Sequence, residues 1–257
     1  MPELPEVEVY RRYFESHALR KTIARVRVLD ERILGDVRKE KFASALRGRA
    51  FRKVRRHGKH LFADARGVWL HLHFGMTGDL AYYTEDDPRF ARVVFDFAGG
   101  AHFAFEDMRL FGVADLTRDP ETYIAEHGLG PDPLEVTLRE FRQRLAGRRG
   151  AVKALLMSQD VIAGVGNLYA DETLYQTSIH PKRPVDKLSP VDVRNIYTEM
   201  RRILRETTAR KLRGAGYPPR YLIPHREEGE PCPRCGAPIA RTVVIGRTTY
   251  YCPHHQP

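Results

Sequence analysis

The chain opens Met1-Pro2-Glu3-Leu4-Pro5-Glu6, and these residue types at a chain start can do covalent chemistry. An initiator methionine followed by a small residue such as Pro2 is a target for trimming. Trimming leaves a proline whose nitrogen is a secondary amine, able to attack an aldehyde-like carbon and form an iminium ion. Glu3 supplies a carboxyl group one residue away for proton transfer. The same residues also read as a plain helix start, since Pro and Glu both favour a first turn.

The opposite end carries different chemistry. It reads Cys232-Pro-Arg-Cys235, then sixteen residues, then Cys252-Pro-His-His255. Two ligand pairs joined by a hairpin-length spacer match a zinc ribbon or finger. The expected ligands of one structural Zn2+ are Cys232, Cys235, Cys252 and His255, with His254 as the alternative fourth. Four protein ligands leave no open coordination position, which makes such a site structural. Thr242–Ile245 and Thr248–Tyr251 are the expected hairpin strands, with Gly246-Arg247 at the turn.

Between these ends lies Val161-Ile-Ala-Gly164-Val-Gly166-Asn167-Leu-Tyr-Ala170-Asp171. The two glycines allow a tight turn, and Asn167 can cap a helix beginning at Leu168. Backbone N–H groups at a helix start suit a phosphodiester. Lys153 and the pair Arg148-Arg149 add positive charge nearby. A glycine-containing helix connection is the plain alternative.

The elements that must hold these residues are of two kinds. Residues 5–18 read as a helix with Val7, Tyr10 and Phe14 near one face. Strand-like runs follow at 23–29, 68–74, 91–97 and 101–105, the last two flanking Gly99-Gly100 as a hairpin. A further helix is expected around 38–47. The stretch 128–134 holds two glycines and two prolines and reads as a linker. Beyond it the pattern becomes helical, at 138–146, 151–159, 167–176 and 189–209, with a capping-box spacing at Thr137 and Glu140. The expected fold class is α+β in three parts, at 1–130, 131–226 and 227–257.

Composition narrows the function. The chain has 257 residues, 42 % hydrophobic content and a net charge of +10. Such an excess suggests a polyanion partner, most simply nucleic acid. No apolar run approaches the ~20 residues of a membrane span, so a cytoplasmic or nucleoid protein with no membrane partner is expected.

Taken together, the opening Pro2-Glu3-Leu4-Pro5-Glu6-Val7, the Gly164-Val-Gly-Asn167-Leu-Tyr-Ala170 turn and the terminal cysteine hairpin resemble the formamidopyrimidine-DNA glycosylase family, within the wider group shared with endonuclease VIII. The resemblance spans essentially the whole chain. It implies an N-terminal β-sandwich domain with flanking helices, a helix–two-turns–helix domain and a zinc-finger β-hairpin, with DNA between the halves. The implied activity is a bifunctional DNA glycosylase and AP lyase of base excision repair, acting as a monomer on damaged double-stranded DNA.

The resemblance also implies roles. Pro2 is the nucleophile and Glu3 its acid/base partner. Lys59, in His57-Gly-Lys59-His60, stands at a catalytic lysine position, and Arg247 at a phosphate-binding arginine that assists elimination. Asn167 and Lys153 match phosphate contacts, with Arg148 beside them. Met76, Arg109 and Phe111 match the residues that fill the gap left by a flipped nucleotide. A base must leave the stack before chemistry can reach it, and apolar wedges offset the lost stacking. Core packing is the plain alternative for Met76 and Phe111, but glycines at 75, 78 and 112 suggest exposed loop tips.

Four departures from the family stand out. His255 replaces a usual cysteine. Leu110 stands where a second arginine is common, and Arg92 takes part of the role of a DNA-binding histidine. The stretch 212–225, Leu-Arg-Gly-Ala-Gly-Tyr217-Pro-Pro-Arg-Tyr221-Leu-Ile-Pro-His, is shorter than the loop that covers the flipped base in 8-oxoguanine-excising members. An abasic-site lyase or oxidised-pyrimidine glycosylase with little 8-oxoguanine activity is therefore the alternative reading. A non-catalytic DNA-binding module is less favoured, because it would need none of Pro2, Glu3 and Lys59.

Overall fold

The computed structural model describes residues 1–257 and divides them into two compact units, Met1–Gly128 and Leu129–Pro257.

The first unit begins with α1 (Leu4–Ala18), followed by β1 (Ile23–Val28), α2 (Lys39–Leu46), β2 (Lys53–His57), β3 (His60–Asp64), β4 (Trp69–His73), β5 (Gly78–Tyr83), β6 (Ala91–Phe97), β7 (His102–Asp107), β8 (Val113–Thr117) and α3 (Pro120–Glu126). The strands form two antiparallel sheets, in the orders β1-β6-β7-β5 and β2-β3-β4-β8. Alternation along each strand sends one set of side chains inward. Val26, Val93, Phe95, Phe103 and Phe105 of one sheet share a core with Leu61, Ala63, Leu70 and Leu72 of the other. The α1 face carrying Val7 and Phe14 and the α2 face carrying Phe42 and Leu46 join the same core. This is the expected sandwich with flanking helices. β3 and β4 are buried on both faces, because Tyr123 of α3 lies against Phe62 and His71 on the outer side.

The second unit contains α4 (Leu138–Leu145), α5 (Val152–Met157), α6 (Asn167–Gln176), α7 (Pro190–Lys211) and the antiparallel hairpin β9 (Ala240–Val244) and β10 (Arg247–Tyr251). Capping boxes start α4 at Thr137 and Glu140, and α7 at Ser189 and Asp192. α6 is the central element, with seven consecutive buried residues from Tyr169 to Tyr175. α5 stops at Met157, two residues short of its expected end. There the Gln159 amide donates to the carbonyls of Met157 and Val165, and its oxygen accepts Gly164 N–H, shaping the turns between α5 and α6.

The hairpin turn is Ile245-Gly246, not Gly246-Arg247. Both turn residues have positive φ, 43° and 72°, as a two-residue primed turn requires. Arg247 is thereby the first residue of β10, paired with Val244. No helix is long and apolar enough to cross a membrane.

Candidate DNA-repair site

Pro2 immediately precedes α1, and Glu3 is the helix N-cap. Glu3 and Glu6 form a capping box, in which Glu3 N–H donates to Glu6 Oε2 at 3.0 Å. Glu3 is 3 % exposed, whereas Met1 is 53 % exposed. The Glu3 carboxyl is thus held inside while Met1 projects outward. The Pro2 nitrogen sits at the positive end of the helix dipole, which disfavours an ammonium there.

Lys59 lies in the two-residue turn between β2 and β3, where His57 and His60 pair across the strands. α1 is tied to this turn through Arg56. Arg56 Nε lies 3.3 Å from Glu8 Oε2 on the helix, and Arg56 Nη1 donates to the Gly58 carbonyl at 3.3 Å. Lys59 is itself buried. Burial, then the nearby Lys59 charge, pushes the His73 imidazole down to about 4. A desolvated cationic lysine beside a neutral histidine is an arrangement suited to handling an anion or a proton.

Met76, Arg109 and Phe111 come together from two loops. Gly75 approaches the other loop so closely that a Cβ there would lie 2.3 Å from the Phe111 carbonyl carbon. Asp107, fully buried, anchors both loops. Its carboxylate accepts the Thr77 hydroxyl, Arg109 N–H at 3.1 Å and Gly112 N–H at 2.6 Å. Met76 and Phe111 are exposed at 42 % and 53 %, so these loop tips do not serve the core. The Arg109 guanidinium lies 4.7 Å over the Phe111 ring.

Two members of this region escaped the sequence reading. Asp107 is one, although an Asp opening a turn is a recognisable local signal. Met108, exposed to the same degree as Phe111, is the other. Leu110 turns inward and packs on the core. Arg92 braces the loop from behind, with Nε donating to the Asp107 carbonyl at 2.7 Å and Nη1 3.8 Å from Asp30.

In the second unit, Asn167 does not cap α6. Gly166 holds the N-cap position without a side-chain bond, and Asn167 is the first helical residue. Its amide instead donates to the Thr248 carbonyl of β10 at 3.1 Å. Lys153, expected on a phosphate, is fully buried. Its Nζ lies 2.7 Å from Asp171 Oδ1 and 2.6 Å from Thr249 Oγ1. The charge is neutralised inside the unit because α5 and α6 pack with those side chains facing. Arg148 is half-exposed and paired with Asp160 at 2.9 Å. Arg247 is exposed at the head of β10.

The donor atoms of Cys232, Cys235, Cys252 and His255 all lie within 4.8 Å of one another. Cys235 and Cys252 sulfurs are 3.5 Å apart, and His255 Nδ1 is 3.9 and 3.8 Å from the Cys232 and Cys235 sulfurs. Edges of a tetrahedron around zinc run about 3.3–3.8 Å given the usual bond lengths, so the four residues fit one ion. His254 is exposed and outside the cluster. Around the ligands, the Tyr175 hydroxyl lies 3.1 Å from Cys232 Sγ. Gln256 accepts Cys252 N–H at 2.9 Å and donates to the Ile179 carbonyl at 2.9 Å, fastening the knuckle to the end of α6.

Comparison with known proteins gives a consistent picture. Residues 1–114 match the formamidopyrimidine-DNA glycosylase N-terminal domain, residues 129–216 its H2TH domain, and residues 229–254 a zinc finger found in FPG and IleRS. The formamidopyrimidine-DNA glycosylase of Pelotomaculum thermopropionicum is 37 % identical over 98 % of each chain. That of a Nocardioides species is 38 % identical, over all of this chain and 95 % of the relative. Among solved structures, the Lactococcus lactis enzyme bound to DNA containing an AP site superposes with a TM-score of 0.89, at 27 % identity and 99 % coverage of both chains. MutM in complex with DNA containing carbocyclic 8-oxo-G gives 0.90 at the same identity and coverage. The chain belongs to the formamidopyrimidine-DNA glycosylase family.

Proposed function

We propose that this family member excises oxidised bases from double-stranded DNA and cleaves the resulting abasic strand through a Schiff base at Pro2. The observation that carries this reading is the chain start, where Pro2 borders the N-terminus of α1 with the Glu3 carboxyl locked beside it. Removal of Met1 frees a secondary amine. Its lone pair attacks C1′ of the damaged nucleotide, the base departs with a proton, and the sugar ring opens as the C1′–N iminium forms. Glu3 moves the proton needed for ring opening. The iminium acidifies the C2′ proton, so β-elimination expels the 3′ phosphate. A second elimination expels the 5′ phosphate, and hydrolysis of the remaining iminium restores the amine.

Lys59 and Arg247 bear on the phosphates that leave, since fixed cations stabilise developing negative charge. Met76 and Phe111 occupy the space of the flipped nucleotide, and Arg109 pairs with the orphaned base through its fork of donors. Asn167 meets the backbone, Arg148 adds charge to that surface, and Arg92 contributes by holding the Asp107 loop. The parts at 1–130, 131–226 and 227–257 act as catalytic, DNA-binding and zinc modules of a monomer in the cytoplasm or nucleoid.

A second reading of substrate has its own support. The stretch 212–225 is pinned to the end of α7 and to α6. Arg210 Nε donates to the Gly216 carbonyl at 2.6 Å, Lys211 sits 4.9 Å over the Tyr217 ring, and Ile223 N–H donates to Glu172 at 3.0 Å. A segment held this way favours abasic sites or oxidised pyrimidines over 8-oxoguanine.

A panel of duplexes carrying 8-oxoguanine, formamidopyrimidine, an oxidised pyrimidine or an abasic site separates the two readings. Faster cleavage at 8-oxoguanine and formamidopyrimidine supports the first, and cleavage confined to the others supports the second. No cleavage of any duplex rules out both. An uncleavable N-terminal extension is expected to abolish strand cleavage in every case.

A further inference from the structure

Lys153 is a charged side chain with no access to DNA, and its surroundings suggest what it does instead. It lies on α5, fully buried, between the Asp171 carboxylate on α6 and the Thr249 hydroxyl on β10. Thr249 is also fully buried, and its hydroxyl donates onward to the Arg247 carbonyl at 3.0 Å. A hydroxyl has one proton to give and lone pairs to receive. Because the ammonium can only donate, the Thr249 proton is directed to Arg247. Asp171 holds the system from the other side. Its Oδ2 takes Arg226 Nη2 at 2.7 Å and Tyr250 N–H at 3.3 Å. Asn167, one helical turn before Asp171 and on the same face, reaches the Thr248 carbonyl. Residues 247, 248 and 250 are thus gripped from α5 and α6 through buried polar atoms.

We propose that Asp171, Lys153 and Thr249 form a relay that positions Arg247 for its phosphate, so that Lys153 serves DNA binding only through Arg247. This rests on the phosphate role given to Arg247 above. A buried polar network specifies one arrangement of the elements it joins. Lys153 Nζ lies 3.5 Å from the Thr248 carbonyl as well, whereas its link to the Arg247 carbonyl runs through the Thr249 hydroxyl, so releasing Thr249 loosens the Arg247 backbone.

The test measures binding of the zinc-loaded protein to a duplex carrying a tetrahydrofuran abasic analogue, over a series of salt concentrations. Arg247→Ala is expected to weaken binding about tenfold, the loss of one charged hydrogen bond, and to lower the salt slope by about 0.9. Thr249→Val, similar in shape but without the hydroxyl, and Lys153→Met are each expected to reproduce most of both changes, while Thr249→Ser restores them. Combined with Arg247→Ala, neither is expected to weaken binding further. Additive losses, or a Thr249→Val protein with unchanged binding and slope, would overturn the relay. If Lys153→Met does not fold, the Thr249 pair of variants decides alone. If Arg247→Ala itself binds normally while Lys153→Met lowers the slope, Lys153 acts on phosphate by another route, and the role of Arg247 fails along with the relay. If Arg247→Ala and the relay variants all bind normally, the phosphate role of Arg247 fails and the relay is overturned with it.

Discussion

At the residue scale, conformational demands and functional demands conflict at two places. Ile245 is a β-branched side chain at φ 43° in the hairpin turn, 64 % exposed. Branching at Cβ makes that region costly, and glycine relieves it. Ile245→Gly is expected to raise stability by about 1 kcal/mol, read as a higher melting temperature of the zinc-loaded protein; a lower one would show that the turn is not strained. Gly75 presents the reverse case. At φ 52°, with Phe111 backbone atoms where a Cβ would sit, Gly75→Ala is expected to cost about 2 kcal/mol and to splay the two loops. By contrast, Met76→Ala and Phe111→Ala remove exposed side chains. They should leave folding stability within about 0.5 kcal/mol of the parent while weakening binding to a lesion duplex. Unchanged binding would assign these tips no part in the gap.

At the element scale, zinc and helix packing hold the second unit together. The Cys232–His255 cluster is fastened to α6 through Tyr175 and Gln256. Zinc removal by a chelator is therefore expected to melt β9–β10 and to weaken DNA binding as strongly as Arg247→Ala, followed by circular dichroism and binding on one sample. A chelated protein that still binds fully would separate the hairpin from DNA. The cysteine spacing made this cluster legible from sequence, because ligand geometry is local. The cap at Thr137 and the hairpin of β6 and β7 around Gly99-Gly100 were legible for the same reason. Lys153 was not. Its partner Asp171 is on the next helix and its second partner Thr249 is on the final strand, so only packing could show that its charge is neutralised. The inward turn of Leu110 and the anchoring by Asp107 were hidden similarly, since both depend on contacts with a separate loop. The histidines at 60, 71 and 73 meet only through strand register, His60 opposite His73 and bonded to His71 at 2.9 Å.

At the scale of the whole molecule, the two units are expected to respond to pH in opposite directions. Burial in the first pushes His71 down to about 3 and His73 to about 4, from 6.5. The unfolded chain then binds more protons than the folded one, so this stability is present above about pH 6.5 and is lost as pH falls toward those values. Burial in the second raises Glu172 from 4.5 to about 7, against the hydrogen bonds from Gln176 and Ile223. Here the folded form holds the extra proton, so stability is present below the ordinary carboxyl range and is lost as pH rises through about 7. Hydrogen exchange at acid and alkaline pH, corrected for intrinsic rates, should show the first unit opening in acid and the second in alkali. Glu172→Gln should remove the alkaline loss. The same direction in both units would contradict this account. The proposed chemistry turns on the first covalent bond to DNA. The most direct measurement is borohydride reduction of the protein on an abasic duplex, followed by mass spectrometry of the crosslinked peptide. A nucleotide adduct is expected on the nitrogen of an N-terminal Pro2 from which Met1 has been removed. An adduct on Lys59 or any other lysine, or none at all, would contradict it.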